Sequence, residues 1–188
     1  MSETHPAYVE MDAASKGTID NVRAIVDSLS FAVFGSSKRI YTVDECFTED
    51  TLVRTRGCLV SIRDVVLSRI PCEVLSYDTV NVCSVWRRVT SWFEIKQLRD
   101  VFRLVFDTGV VLSVTQDQQI YTLNRGWTPA RSLSESDSIV TTNLTAKLVK
   151  KELVLSQKVY DITVEGTHSF FAASRDGNTD KSVLVHNC

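Results

Sequence analysis

Hydrophobic spacing along the chain changes its period once, close to Glu45. Upstream, Ala7-Tyr8-Val9-Glu10-Met11 reads as a strand and Lys16-Gly17 as a turn. Thr18 stands as a cap ahead of Ile19, Val22, Ile25/Val26 and Leu29, which keep helical spacing. Gly35-Ser36-Ser37 then breaks the chain before a second strand, Arg39-Ile40-Tyr41-Thr42-Val43, which ends on Asp44-Glu45. Strand, helix, strand is a fragment of an α/β layer, and a piece this short has too little surface to bury by itself.

From Cys46 onward the helical period disappears. Residues 51–55, 72–77, 80–86, 88–95, 101–107, 110–115, 119–123, 147–149 and 159–164 are rich in β-branched and aromatic side chains and often alternate. Asp107-Thr108-Gly109, Asn124-Arg125-Gly126 and Glu165-Gly166 separate several of these runs as turns. Many short strands with polar breaks predict an all-β domain over 46–187, preceded by the short βαβ-like flank at 1–45.

Composition narrows the function classes. With 188 residues and a net charge of −2 of mixed sign, the chain shows no basic surface for direct nucleic-acid binding and no polybasic membrane anchor. No apolar run approaches the roughly 20 residues of a membrane span, and Met1 opens no signal-peptide pattern, so a soluble cytoplasmic protein is expected. Five cysteines at irregular spacings contain no CxxC pair, which argues against a zinc site or a disulfide framework. Cys58, Cys72 and Cys83 sit in apolar, strand-like stretches and read as buried structural thiols. Cys46 and Cys188 lie instead at junctions.

The last residues carry the candidate chemistry. Val183-Leu184-Val185 reads as a strand delivering His186, Asn187 and Cys188 in a row. An Asn amide can attack its own carbonyl, closing a five-membered imide and breaking the following peptide bond. Held geometry lowers such an intramolecular barrier by up to roughly 7–11 kcal/mol. A neighbouring His moves the proton, and a Cys just past the scissile bond is a ready nucleophile. A surface strand that simply ends in polar residues is the plain alternative.

Four further stretches decide between these readings. Cys46-Phe47-Thr48-Glu49-Asp50-Thr51-Leu52-Val53 resembles the opening block of inteins, self-splicing domains of the Hint (hedgehog/intein) fold. Val114-Thr115-Gln116-Asp117 with Gly126-Trp127-Thr128-Pro129-Ala130 and Leu133 is similar to their second block. Tyr160-Asp161-Ile162-Thr163-Val164 with His168-Ser169-Phe170-Phe171-Ala172, then Val183–Cys188, is similar to the terminal blocks. The blocks span 46–187, the length of a mini-intein with no room for a homing endonuclease.

The resemblance implies autocatalytic protein splicing without a cofactor or metal, a single-turnover self-processing reaction whose substrate is the chain's own flanks. Cys46 would take the acyl group of Glu45 as a thioester, and Cys188 would capture it. Asn187 would then cyclise, releasing 46–187 and joining Glu45 to Cys188. It also implies that Asp161 coordinates proton transfer between the steps, and that His168 and His186 assist Asn187. The plain alternatives are that Asp161 caps a turn and that His168 is a core imidazole. Because two scissile bonds must share one site, Cys46 and Cys188 are expected close together.

One position departs from the family pattern. The second block normally reads Thr-x-x-His, and here Thr115 is followed by Gln118. An amide cannot exchange a proton near neutral pH, whereas acid–base assistance is worth about 10²–10⁴-fold. A natural variant with slow or compensated splicing, an engineered block and a register offset at Gln118/Gln119 are the competing explanations. Slow upstream cleavage with competent Asn187 cyclisation is expected.

The flank has its own resemblance. Glu10-Met11-Asp12-Ala13-Ala14-Ser15, the helix through Val22-Arg23 and Ile25, and Arg39–Glu45 resemble the ATPase core of clamp-loader subunits, the gamma/tau type of bacterial DNA polymerase III. Asp44 and Glu45 would close its Walker B strand. No GxxxxGK[ST] phosphate loop occurs, so the flank is expected to be a substrate for ligation and not a working ATPase. Two other readings remain open: a cleavage-only Hint domain, and an inert β module serving as a structural insert.

Overall fold

A computed structural model describes residues 8–10, 40–42, 45–175 and 181–187. The chain divides into two compact units, Met1–Asp44 and Glu45–Cys188. In the first, β1 (Tyr8–Glu10) and β2 (Ile40–Thr42) pair in parallel, Tyr8 opposite Ile40. The helix expected over 19–29, its flanking turns and Asp44 lie outside the described residues, as does Cys188.

The second unit is built almost wholly from strands. β3 (Phe47–Thr48), β4 (Thr51–Arg54), β5 (Leu59–Ser61), β6 (Glu73–Asp78) and β7 (Cys83–Phe106) come first. β8 (Val111–Thr115), β9 (Gln119–Thr122), β10 (Gly126–Pro129), β11 (Ile139–Val140) and β12 (Thr145–Ala146) follow, then β13 (Leu148–Val164), β14 (Ser169–Ser174) and β15 (Val183–His186). One sheet runs β12-β11-β9-β15-β14-β4-β5 with β10 beside β9, and the other runs β13-β3-β8-β7-β6. Residues 80–95 and 101–107, which read as three strands, belong largely to the single 24-residue β7. β7 pairs with β6 through its first residues and with β8 through its last, and it faces β13 along most of its length. Register shifts at Leu148/Lys150, Val154/Gln157, Gln157/Val159 and Thr163/Val164 act as bulges, which bend and twist a strand this long. Alternation breaks at such bulges, so the sequence shows fragments where the backbone is continuous.

One helix contradicts the sequence reading, which found no helical signal after Cys46. α1 (Ile62–Leu67) starts at Ser61, whose Oγ accepts from the Asp64 N–H at 3.1 Å. It buries Ile62, Val65 and Val66, the i, i+3, i+4 face. Six residues are too few for periodicity to register, and the two valines favour strand by composition. The cysteine expectation also fails in part. Cys58 and Cys83 are exposed, and only Cys72 is half-buried, where burial raises its thiol pKa.

The core joins both sheets. Phe47, Val53, Leu112, Ile120, Phe170 and Val185 are fully buried within it, with the Phe47 and Phe170 rings 5.2 Å apart. Cys46 packs separately with Val101 and Val159. No described helix is long and apolar enough to cross a membrane.

Candidate functional site

The site forms where the two ends of the second unit meet on β8, β9 and β13. Cys46 is 1% exposed, one residue ahead of β3. Its N–H donates to Thr115 Oγ1 at 2.9 Å, and its carbonyl accepts from the Thr115 N–H at 3.0 Å. Thr115 is the last residue of β8, so the ladder that pairs Phe47 with Val114 delivers its hydroxyl to the Cys46 nitrogen.

Gln118 closes the turn that follows. Its N–H donates to the Thr115 carbonyl at 3.1 Å, and the residue is fully buried. Nε2 donates to the His186 carbonyl at 2.8 Å and to the Gln119 carbonyl at 3.1 Å. Two carbonyl acceptors fix which end of the amide is nitrogen, and Oε1 is buried without a partner among the described residues. Gln119 points elsewhere, its Nε2 donating to the Asp117 carbonyl. Gln118 is therefore the side chain that reaches the site, and it reaches the downstream end.

Asn187 is fully buried, with Nδ2 donating to the Ile162 carbonyl at 2.7 Å and its backbone N–H to the His168 carbonyl at 3.0 Å. His168 adopts a left-handed backbone conformation, φ 46°, which turns the chain into β14. The residue is exposed. Its carbonyl is the group that accepts from the Asn187 N–H.

Asp161, 2% exposed, lies on β13 between contacts to both ends. Tyr160 on one side pairs with Phe47, and Ile162 on the other accepts from Asn187.

His186 lies at the end of β15. Its Nδ1 is 2.8 Å from Glu45 Oε2, and its ring meets Trp127 edge-on at 5.1 Å between centroids. Tyr121 backs Trp127 at 4.9 Å. The turn that leads into β10, the strand of Trp127, is pinned by Asp137, a fully buried carboxylate that accepts from Arg125, Asn124 and Ser134. The Arg125 guanidinium beside Asp137, helped by the Ser134 and Asn124 donors, holds its carboxyl well below the usual carboxylate range against the opposing effect of burial.

The structure thus brings Cys46 onto Thr115, Gln118 onto His186, and Asn187 between Ile162 and His168. The side chain of Glu45 and the ring of Trp127 were missed as functional groups. Glu45 reads in sequence as part of another unit, so only the fold shows its contact with His186. Among the described residues no group of three or more His, Cys, Asp or Glu side chains could hold a metal ion.

Solved structures with this architecture share a theme. The chain is similar to the DnaB intein from Synechocystis sp. PCC 6803, with a TM-score of 0.67 and 21% identity over 76% of this chain and 98% of that one. It is similar to a bacterial intein-like domain from Clostridium thermocellum, with a TM-score of 0.65 and 20% identity over 76% and 99%. A DnaX mini intein from Spirulina platensis matches with a TM-score of 0.60 and 25% identity over 76% and 100%. In sequence the chain is 28% identical over 111 residues to a DNA polymerase from Thermococcus aggregans, a match that takes in 55% of this chain and 6% of the polymerase. No protein-family model matches the chain.

Proposed function

We propose, from the Hint fold of the inteins that the chain adopts, that residues 46–187 excise themselves by protein splicing and join Glu45 to Cys188. The observation that carries this reading is the convergence of both junctions on three consecutive residues of β13: Tyr160 against Phe47, Asp161, and Ile162 holding Asn187.

The reaction needs no external reagent. Cys46 Sγ attacks the Glu45 carbonyl carbon, the Glu45–Cys46 amide breaks, and the thiol proton ends on the freed Cys46 nitrogen. A hydroxyl both accepts and donates, so Thr115 Oγ1 can stay bonded to that nitrogen as it changes from amide to amine. Cys188 Sγ displaces Cys46 Sγ from the thioester. Asn187 Nδ2 then attacks the Asn187 carbonyl carbon, leaving a succinimide and freeing the Cys188 amine, which takes the acyl group from its own sulfur. Asp161, bracketed by both junctions, is the group we assign to proton transfer between the steps. His186 assists Asn187, while His168 contributes through its carbonyl. Gln118, its donor committed to His186, supplies no proton to the upstream bond. Upstream cleavage is accordingly the slow step.

We read 1–45 as the flank of a clamp-loader ATPase of the DNA polymerase III type, interrupted after its Walker B strand in a cytoplasmic replication assembly. The parallel pairing of β1 with β2 supports an α/β layer there. Expression with longer flanks on both sides, followed by mass spectrometry, tests the reading. A ligated product joined at Glu45–Cys188 is expected. Cleavage without ligation would point to a cleavage-only Hint domain, and a chain of unchanging mass under reducing conditions to an inert module.

A further inference from the structure

Glu45 lies before the upstream scissile bond, yet its side chain is built into the downstream end. The residue is 3% exposed and Oε2 lies 2.8 Å from His186 Nδ1, 141 positions away in the chain. An ionised carboxylate offers only acceptors. Nδ1 is therefore the donor, and Nε2 is the ring nitrogen left for proton transfer. The rest of His186 is already restrained: its backbone pairs with Ser169, its carbonyl accepts from Gln118 at 2.8 Å, and Trp127 walls the ring. Rotation and tautomer of the imidazole are the freedoms that Glu45 removes.

We propose that Glu45 is a positioning residue for the downstream reaction: the side chain preceding Cys46 sets the ring of His186, and through it the rate at which Asn187 cyclises. This rests on the splicing reading above. In the step concerned, Asn187 Nδ2 attacks the Asn187 carbonyl carbon and gives a proton to His186 Nε2. The ring returns a proton to the Cys188 nitrogen as the Asn187–Cys188 bond breaks, so no water or outside reagent is consumed. The upstream flank thereby acts as a specificity determinant at the opposite junction. A flank ending in an acceptor of glutamate length supports cyclisation, and one ending in an apolar residue slows it.

The test uses the 188-residue chain with Cys46→Ala, which removes the upstream chemistry so that release of Cys188, followed by mass spectrometry, reports Asn187 alone. Glu45→Met keeps the volume and loses the acceptor; Glu45→Gln keeps both and loses only the charge. Glu45→Met is expected to slow release about tenfold, a fraction of the 10²–10⁴ that acid–base assistance supplies, and Glu45→Gln to stay within about threefold of the parent. With Asn187→Ala added to hold the chain intact, the ring ¹⁵N resonances of His186 should report protonated Nδ1 with Glu45 or Gln at position 45 and lose that signature with Met. Equal release rates and unchanged ring resonances in all three chains would overturn the inference and leave the splicing reading standing. Should Glu45→Met fail to fold, Glu45→Leu repeats the comparison at another shape, and the Glu45 and Gln chains still read the tautomer. A Cys46→Ala parent that never releases Cys188 would instead overturn the splicing reading, and this inference with it.

Discussion

The two junctions are held by different kinds of group. At the upstream one, Thr115 meets both the nitrogen and the carbonyl of Cys46 through its hydroxyl and its backbone N–H. Neither group exchanges a proton near neutral pH. At the downstream one an imidazole sits between a carboxylate and an indole, one residue ahead of an Asn amide anchored on β13. Gln118, at the position where the resemblance to inteins implies a proton donor for the upstream bond, turns its amide toward His186. Apart from Asp161, which lies between the two, only the downstream junction has, among the described residues, a side chain suited to proton exchange beside it.

The sharpest way to break this contrast is Asn187→Ala. Release of Cys188 should stop, because the attacking amide is gone, while a small thiol should still cleave slowly after Glu45 at the parent rate. Mass spectra over time read both events. Fast thiolysis would show that the upstream junction lacks nothing, especially as Cys46 is 1% exposed.

A crossed pair of variants gives a smaller and more local effect. Thr115→Val removes the hydroxyl that accepts from the Cys46 N–H and donates more weakly to its carbonyl; at about 1 kcal/mol for the shorter bond, it should slow thiolysis about fivefold with Cys188 release unchanged. Gln118→Leu should do the reverse. If Gln118→Leu slowed thiolysis more than Cys188 release, the division of labour drawn here would be wrong.

Asp137→Asn should act on stability and spare the contrast. Arg125 is 43% exposed, which weakens the pair, so about 1–2 kcal/mol is expected at pH 7 by denaturant unfolding. The folded-state pKa of Asp137 is depressed, so its stabilisation is present above the unfolded value of about 4 and is lost as pH falls through the folded value. The parent and variant stabilities should therefore converge in acid. Unequal changes at the two junctions would mean that β10, which carries Trp127, serves one of them directly.

Much of this architecture was legible in the residues, and the parts that were not share a physical cause. Alternation located β4, β6, β8 and β9 within a residue or two; the Asn187 position stood out by its chemistry, and Thr115 by the resemblance of its block. β7 and β13 were seen in pieces because bulges reset the alternation. α1 was missed because six residues cannot display a period. Cys58 and Cys83 looked buried because their neighbours in sequence are apolar, whereas solvent exposure depends on which strands cover them. The His168 carbonyl meets the Asn187 N–H at a residue of left-handed φ, a backbone feature of which periodicity carries no trace. Glu45–His186 joins residues with no local signal linking them.

β14 lies between β15 and β4, so the last strand of the domain reaches its second through a single neighbour. Contacts of such long sequence separation form slowly, since the chain must close large loops before it gains anything from them. A ribosome adds about 5–20 residues per second, and until β15 emerges and docks, Asn187 has no Ile162 carbonyl to hold it and His186 no partner. If residues 46–187 splice as proposed above, the fold acts as a timer: self-cleavage waits for synthesis and folding to finish, and a nascent or misfolded chain keeps its peptide bonds because the reacting groups are still far apart.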